Sequence, residues 1–176
     1  FPMGTDGLGR DTFSRVIAGT RLSLQVSFVA VVVSKIIGFS WGIMSGYLGG
    51  RFDIYSQRVL DVLISFPSVI LALLLLVALG SGTGTVTLAI AATGIAGTTR
   101  IIRAVALSVK EMDYVLAART IGANPTRIML QHVSPQCIAP LVVVASTSLG
   151  GAIFTEAALS YLGLGVPPPQ PSWGNM

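Results

Sequence analysis

From Val62 to Thr99 the chain runs for 38 residues without an aspartate, glutamate, lysine or arginine. As one helix that run would be roughly 57 Å long at about 1.5 Å per residue, against a bilayer hydrocarbon core of about 30 Å. A single crossing cannot hold it, so the run must fold back. The break is legible at Gly80-Ser81-Gly82-Thr83-Gly84, a cluster of turn residues with an apolar segment on each side. Two further stretches, Val133 to Thr155 and Ala157 to Met176, are also free of charge. Composition agrees: 10% of residues are charged, where soluble domains have about 25%, and mean hydropathy is +0.79. The chain reads as a membrane protein.

Four spans are expected: A over 22–48, B over 60–79, C over 86–106 and D over 133–154. Backbone groups in lipid must be satisfied within the protein, which leaves helices or a closed barrel. The runs lack the period-two alternation of barrel strands, so the expected fold is all-α, a polytopic transmembrane helix bundle. Residues 1–21 form an external amphipathic lead-in, 107–135 a cytoplasmic loop and 155–176 an external segment, all in one domain over 1–176. Gly38, Gly42 and Gly46 in span A, and Gly94 with Gly97 in span C, are placed to let backbones approach closely. The alternative is that glycine is simply common in membrane helices.

Arg51 and Arg58 fall between A and B, and Arg100, Arg103, Lys110, Arg119 and Arg127 fall around the C–D connection. By the positive-inside rule both connections face the cytoplasm. Arg10, Arg15 and Arg21 on the opposite side pull against this, partly offset by Asp6 and Asp11. The chain begins without methionine and reads as a piece of a longer protein. The single cysteine, Cys137, lies in span D and reads as packing.

The polar island from Tyr114 to Pro135 carries the most specific local pattern. Tyr114, Ala117, Ala118, Ile121 and Gly122 share one narrow helical face of small and apolar groups, suited to close docking. Gly122-Ala123 breaks that helix, and Asn124-Pro125 supplies a cap and a first-turn proline for a second one toward Ile128, Met129, His132 and Val133. A helix lying on the lipid surface would also satisfy the spacing and the basic charge.

At these residues the chain resembles the permease subunits of binding-protein-dependent ATP-binding-cassette importers, whose cytoplasmic loop carries a Glu-Ala-Ala, three residues, Gly signature. Ala117, Ala118 and Gly122 hold the matching positions, and Tyr114-Val115-Leu116-Ala117-Ala118-Arg119, Gly122-Ala123, Arg127-Ile128, His132 and Pro135 are similar to the dipeptide, oligopeptide and nickel branch. Leu116 replaces the usual glutamate and Ser134 the usual leucine. The resemblance extends over Gly4-Thr5-Asp6, Gly9-Arg10-Asp11, Gly46-Tyr47, Gly49-Gly50, Asp53, Arg58, Asp61, Phe66-Pro67 and Glu156 to Gly165, ending at Pro171-Ser172-Trp173-Gly174. Glu156-Ala157-Ala158 spells the signature's opening, but its glycine comes one residue late, at Gly163.

The resemblance implies a type I importer fold lacking the family's first and last helices, in a bacterial or archaeal inner membrane. It implies a subunit that couples to partner ATPases through Tyr114, Ala117, Ala118, Arg119, Gly122, Ala123 and Arg127. The implied partners are a second permease, two cytoplasmic ATP-binding subunits carrying ATP and Mg, an extracytoplasmic binding protein and membrane lipid, with no nucleic acid. Peptides are the first expected substrate and nickel chelates the second.

No catalytic residue, cofactor or metal site is expected on the chain itself. Lys35 and Lys110 are its only lysines, and neither follows a glycine-rich phosphate loop. His132 is the only histidine and reads as a structural group rather than a ligand. Lys35, in mid-span, reads either as a pathway cation or as a structural group, and Asp61 either as a partner of Arg58 or as a gating charge. The competing class is a secondary transporter or channel that needs no ATPase. Such proteins carry functional charges in several helices, whereas Lys35 is alone at mid-span.

Overall fold

The computed structural model describes residues 2–7, 9–80, 82–166 and 170–175. Ser81 of the expected turn, Phe1, Met176 and the three prolines at 167–169 lie outside the described residues. The helices in chain order are α1 (Thr12–Leu48), α2 (Gly50–Ser65), α3 (Ser68–Leu79), α4 (Thr83–Val109), α5 (Asp113–Thr120), α6 (Pro125–Ile128) and α7 (Ser134–Tyr161). A wider π turn, Met129–Val133, leads from α6 into α7. α1, α4 and the last helical stretch, Pro125–Tyr161, are each long and apolar enough to cross a membrane.

Span B is corrected. The expected helix over 60–79 is broken at Phe66-Pro67, and α2 and α3 together count at most as one bent crossing. Proline has no N–H to continue a helix and forces the residue before it toward extended backbone, so α2 stops at Ser65. Pro67 then caps α3, accepting from Leu71 N at 3.0 Å. With 12 residues α3 is about 18 Å long, too short to cross alone. Within the expected lead-in α1 already begins at Thr12, and the expected external segment starts as helix through Tyr161.

The chain divides into two compact units. One comprises residues 1–32, 66–93 and 148–176, the other 33–65 and 94–147. The second unit is held by a glycine seam between α1 and α4. A β-carbon at Gly38 would lie 2.7 Å from Thr98 Cβ, one at Gly42 2.8 Å from Ile102 Cβ, and one at Gly46 2.8 Å from Ala106 Cβ. Both helices advance by four residues per contact, so three glycines admit three side chains in one straight row. In lipid, where burial from water gives no driving force between helices, such close backbone approach is what holds them. Gly94 joins the seam against Ser34, but Gly97 faces open space and plays no such part.

In the first unit the head folds on itself: Asp6 accepts from Arg10 at 2.8 Å and from Arg15 at 2.7 Å. Two of the three arginines that weigh against the orientation are thus paired locally.

Candidate functional site

The loop from α5 to the start of α7 is built as a corner. Gly122 has a φ of +77°, the left-handed region open to glycine, and ends α5. Gly122 N donates to Arg119 O at 3.0 Å and Ala123 N to Ala118 O at 3.1 Å, the paired bonds of a Schellman turn. Two residues later Asn124 Oδ1 accepts from Thr126 N at 3.0 Å, capping α6, with Pro125 at its first position. Stop and start signals thus fall within the four residues 122–125, as the sequence suggested.

What the loop presents is narrower than the expected stripe. Val115 and Ala118 turn inward and pack with Ile128, Val133 and Cys137 against Ile43, Ile102 and Ala106. Ala118 is therefore a core residue, because an eight-residue helix seated on a core must bury its i, i+3 pair. Tyr114, Leu116, Ala117, Arg119, Ile121, Gly122 and Arg127 face outward, with Ile121 at 85% exposure. A pocket of about 430 Å³ opens between the two arms, lined by Ile121, Gly122, Asn124, Arg127, Gln131 and His132 among others.

Two side-chain contacts tie this loop to its unit. The Arg119 guanidinium lies over the Tyr47 ring, 5.5 Å from its centre, and the Tyr114 and His132 rings meet at 6.3 Å between centres. Arg119 is thus already engaged within the chain. Arg127 Nε donates to Gln131 at 2.9 Å, a pair one helical turn apart.

Charge pairs that local sequence spacing could not show fix α2 to α4. Asp53 takes Arg103 through both carboxylate oxygens and also accepts from Ser45 on α1. The Arg103 hydrogen bonds hold the Asp53 carboxyl below the usual carboxylate range, against the opposing push of burial. Asp61 pairs with Arg100, not with Arg58 as the local spacing suggested, because the packing of α2 brings a partner from 39 residues away. Lys35 is 6% exposed and donates to Thr98 Oγ1 at 2.8 Å, beside the Gly38 contact. The ammonium of Lys35 is thus tied to a hydroxyl of the seam. Among the described residues no group of three or more histidine, cysteine, aspartate or glutamate side chains could hold a metal.

Comparison with known proteins gives a consistent picture. The family described as binding-protein-dependent transport system inner membrane component matches residues 38–176. The chain is 43% identical over 173 residues to the oligopeptide transport system permease protein OppC of Bacillus subtilis (strain 168), covering 98% of this chain and 57% of that protein. It is 39% identical over 173 residues to the dipeptide transport system permease protein DppC of Alkalihalophilus pseudofirmus, covering 98% of this chain and 57% of the relative. It is 40% identical over 174 residues to the glutathione transport system permease protein GsiD of Pectobacterium atrosepticum, covering 99% and 58%. The chain thus spans somewhat more than half the length of the curated relatives it matches. In fold it is similar to a chain of the MetNI methionine ABC transporter in an inward-facing conformation, with a TM-score of 0.70, 19% identity and coverage of 85% of this chain and 75% of that one.

Proposed function

The chain belongs to the family of binding-protein-dependent transport system inner membrane components, and from that premise we propose that it is the permease subunit of a peptide importer driven by partner ATPases. The corner at Gly122 carries this reading. It holds Leu116, Ala117 and Ile121 outward on a short helix anchored to the core through Val115 and Ala118. A partner that moves this helix therefore moves the α1–α4 seam behind it. With Leu116 exposed where the resembling family has glutamate, the grip on the ATPase is apolar, through Leu116, Ala117 and Ile121, with Arg127 at its edge. The α1–α2 and α4–α5 connections and this loop face the cytoplasm, and a second permease covers the bare face of α7.

The relatives named above are permeases for oligopeptides, dipeptides and glutathione, and all three substrates are peptides or peptide-like. This favours a short peptide over a nickel chelate as the substrate here. Uptake of labelled dipeptide, glutathione and nickel by cells carrying the intact transporter separates the three.

The coupling assignment is tested by co-purification with the ATPase, comparing Gly122→Ala with Gly122→Trp. Both carry the left-handed backbone penalty of about 1–2 kcal/mol, and a β-carbon at 122 meets nothing within 4 Å. Only tryptophan adds bulk to the docking face. The ATPase is expected to stay with the alanine variant and to be lost from the tryptophan variant. Equal retention by both, or no ATPase with the wild type, refutes the assignment.

A further inference from the structure

The external segment beyond α7 is not a loose tail. Ser172 N donates to Asn175 Oδ1 at 2.9 Å and Asn175 Nδ2 to Gln170 O at 3.1 Å, which closes residues 170–175 into a self-capped turn. On one side the turn binds α1: Trp173 N donates to Ser23 Oγ at 3.2 Å, and Trp173 Nε1 lies 3.3 Å from Val16 O and 3.2 Å from Thr20 Oγ1. On the other side it lies on α7, where a β-carbon at Gly174 would overlap the Ala157 carbonyl and Ser160 Cβ. Gly165 meets Ser160 in the same way, so its β-carbon would overlap the hydroxyl. Two glycines thus let the segment lie flat on the Ala157–Ser160 stripe.

Beneath that stripe is Glu156, fully buried. Ser160 Oγ donates to its Oε1 at 2.8 Å, while Oε2 has no hydrogen-bond partner among the described residues. Ser27 and Ser172 are also buried, with hydroxyls that lack a partner among the described residues, as do Asp11 Oδ1 and Arg15 Nε in the same unit. Buried polar atoms without a partner are costly while dry and are satisfied when water reaches them.

We propose that residues 170–175 are a latch, anchored to α1 by Trp173 and to α7 by Gly174, whose release gives water access to the buried Ser172 hydroxyl and, past Ser160, to the Glu156 carboxyl. Opening would offer one carboxylate beside serine hydroxyls in one conformational state only. The anchoring stands on the geometry. That the latch moves during transport rests on the permease reading.

The test uses the intact transporter in nanodiscs, with Glu156→Cys or Ser172→Cys as the reporter of opening and a water-soluble maleimide as the probe. Native Cys137, fully buried in the other unit, reports general loosening in the same sample, and the labelled peptides are resolved by mass. Ser172→Cys is close to isosteric and keeps the test decidable if Glu156→Cys does not assemble. Trp173→Ala should raise labelling of either reporter about tenfold, the effect on a two-state equilibrium of losing the Nε1 hydrogen bonds together with the contacts of the ring. Trp173→Phe, which keeps the ring and loses Nε1, should give a smaller rise, and Cys137 should stay unlabelled in both. No rise at the reporters, or an equal rise at Cys137, overturns the latch. Labelling should also differ between nucleotide-free and ATP-vanadate-trapped complexes, and identical rates overturn its motion. A failed permease reading shows itself separately, as absence of a co-purifying ATPase, while the Trp173 comparison needs none.

Discussion

α1 and α4 bury far more of their apolar length within the chain than α7 does. In the most apolar stretch of α1 and of α4, 44% of residues are buried within the chain, against 11% for the helix that ends in α7. All three are long and apolar enough to cross a membrane, so hydropathy does not distinguish them. The difference lies in side-chain size at four-residue spacing. α1 presents Gly38, Gly42 and Gly46 to Thr98, Ile102 and Ala106, and its backbone comes close enough for dispersion contacts along the whole row. α7 presents Ile138, Val142, Val143 and Phe154 outward, ordinary apolar groups left exposed among the described residues. The first pair meets by intrachain fit along one row, while the third helix makes few such contacts.

If that contrast is right, bulk in the seam should have the largest effect of any change considered. Gly42→Leu drives a side chain into Ile102 and the Thr99 carbonyl, each 2.8 Å from the first added carbon. Overpacking of this kind costs about 1–3 kcal/mol and can exceed that against backbone. Purified protein should lose thermal stability sharply or fail to accumulate. A melting temperature equal to that of the wild type would break the comparison at its first term.

Next in size is the charge tie. Asp53→Ala leaves Arg103 half-buried without its bidentate partner, and the expected loss is about 1.5–3 kcal/mol. Restoring most of the stability by adding Arg103→Leu would show that the loss reflects an unpaired charge rather than packing. The sign with pH follows from the lowered folded value at Asp53: its contribution is complete above the unfolded value of about 3.9 and fades as pH falls through the folded one. Asp53→Asn should flatten stability across that acid window and leave the profile above it unchanged.

The seam was half legible in the sequence. Glycines spaced by four residues can be read, but not which of them meet a neighbour: Gly97 sits in the same helix as Gly94 and faces open space. The Gly122 to Pro125 corner was legible because stop and start signals are local chemistry. The break at Pro67 was masked by the uncharged run around it, since absence of charge marks apolar length and carries no record of helix continuity. Asp61 with Arg100, Lys35 with Thr98 and Trp173 with Ser23 join residues 39, 63 and 150 positions apart, which no local period reports. Ala118 illustrates the same limit within one short helix. The small residues form a stripe, but which edge of it is buried depends on the core beneath.

Gly97 supplies a third, smaller test with the opposite sign. A methyl there meets nothing within 4 Å, so Gly97→Ala should gain helix propensity, worth up to about 1 kcal/mol, without a steric penalty. The same change at Gly46 should destabilise, because the added carbon would lie 2.8 Å from Ala106 Cβ and from the Arg103 carbonyl. Thermal melts of the two single variants side by side decide it. Equal shifts would mean that glycine in these helices is compositional and not a packing device.

The smallest effect on the chain alone is expected at α7, and there the comparison becomes one between chain and assembly. Val143 is 66% exposed, so Val143→Ala removes almost no intrachain contact and should change the stability of the isolated protein by no more than about 0.5 kcal/mol. Val143→Trp should be tolerated equally well in isolation, because the added ring enters lipid or detergent. If a second permease covers this face, tryptophan displaces it, and the purified complex should lose that subunit while the chain keeps its melting temperature. A complex that retains its stoichiometry with Val143→Trp would assign this part of α7 to lipid. The bareness of α7 would then be a membrane-facing surface like any other, and the second permease would have to be sought elsewhere on the chain.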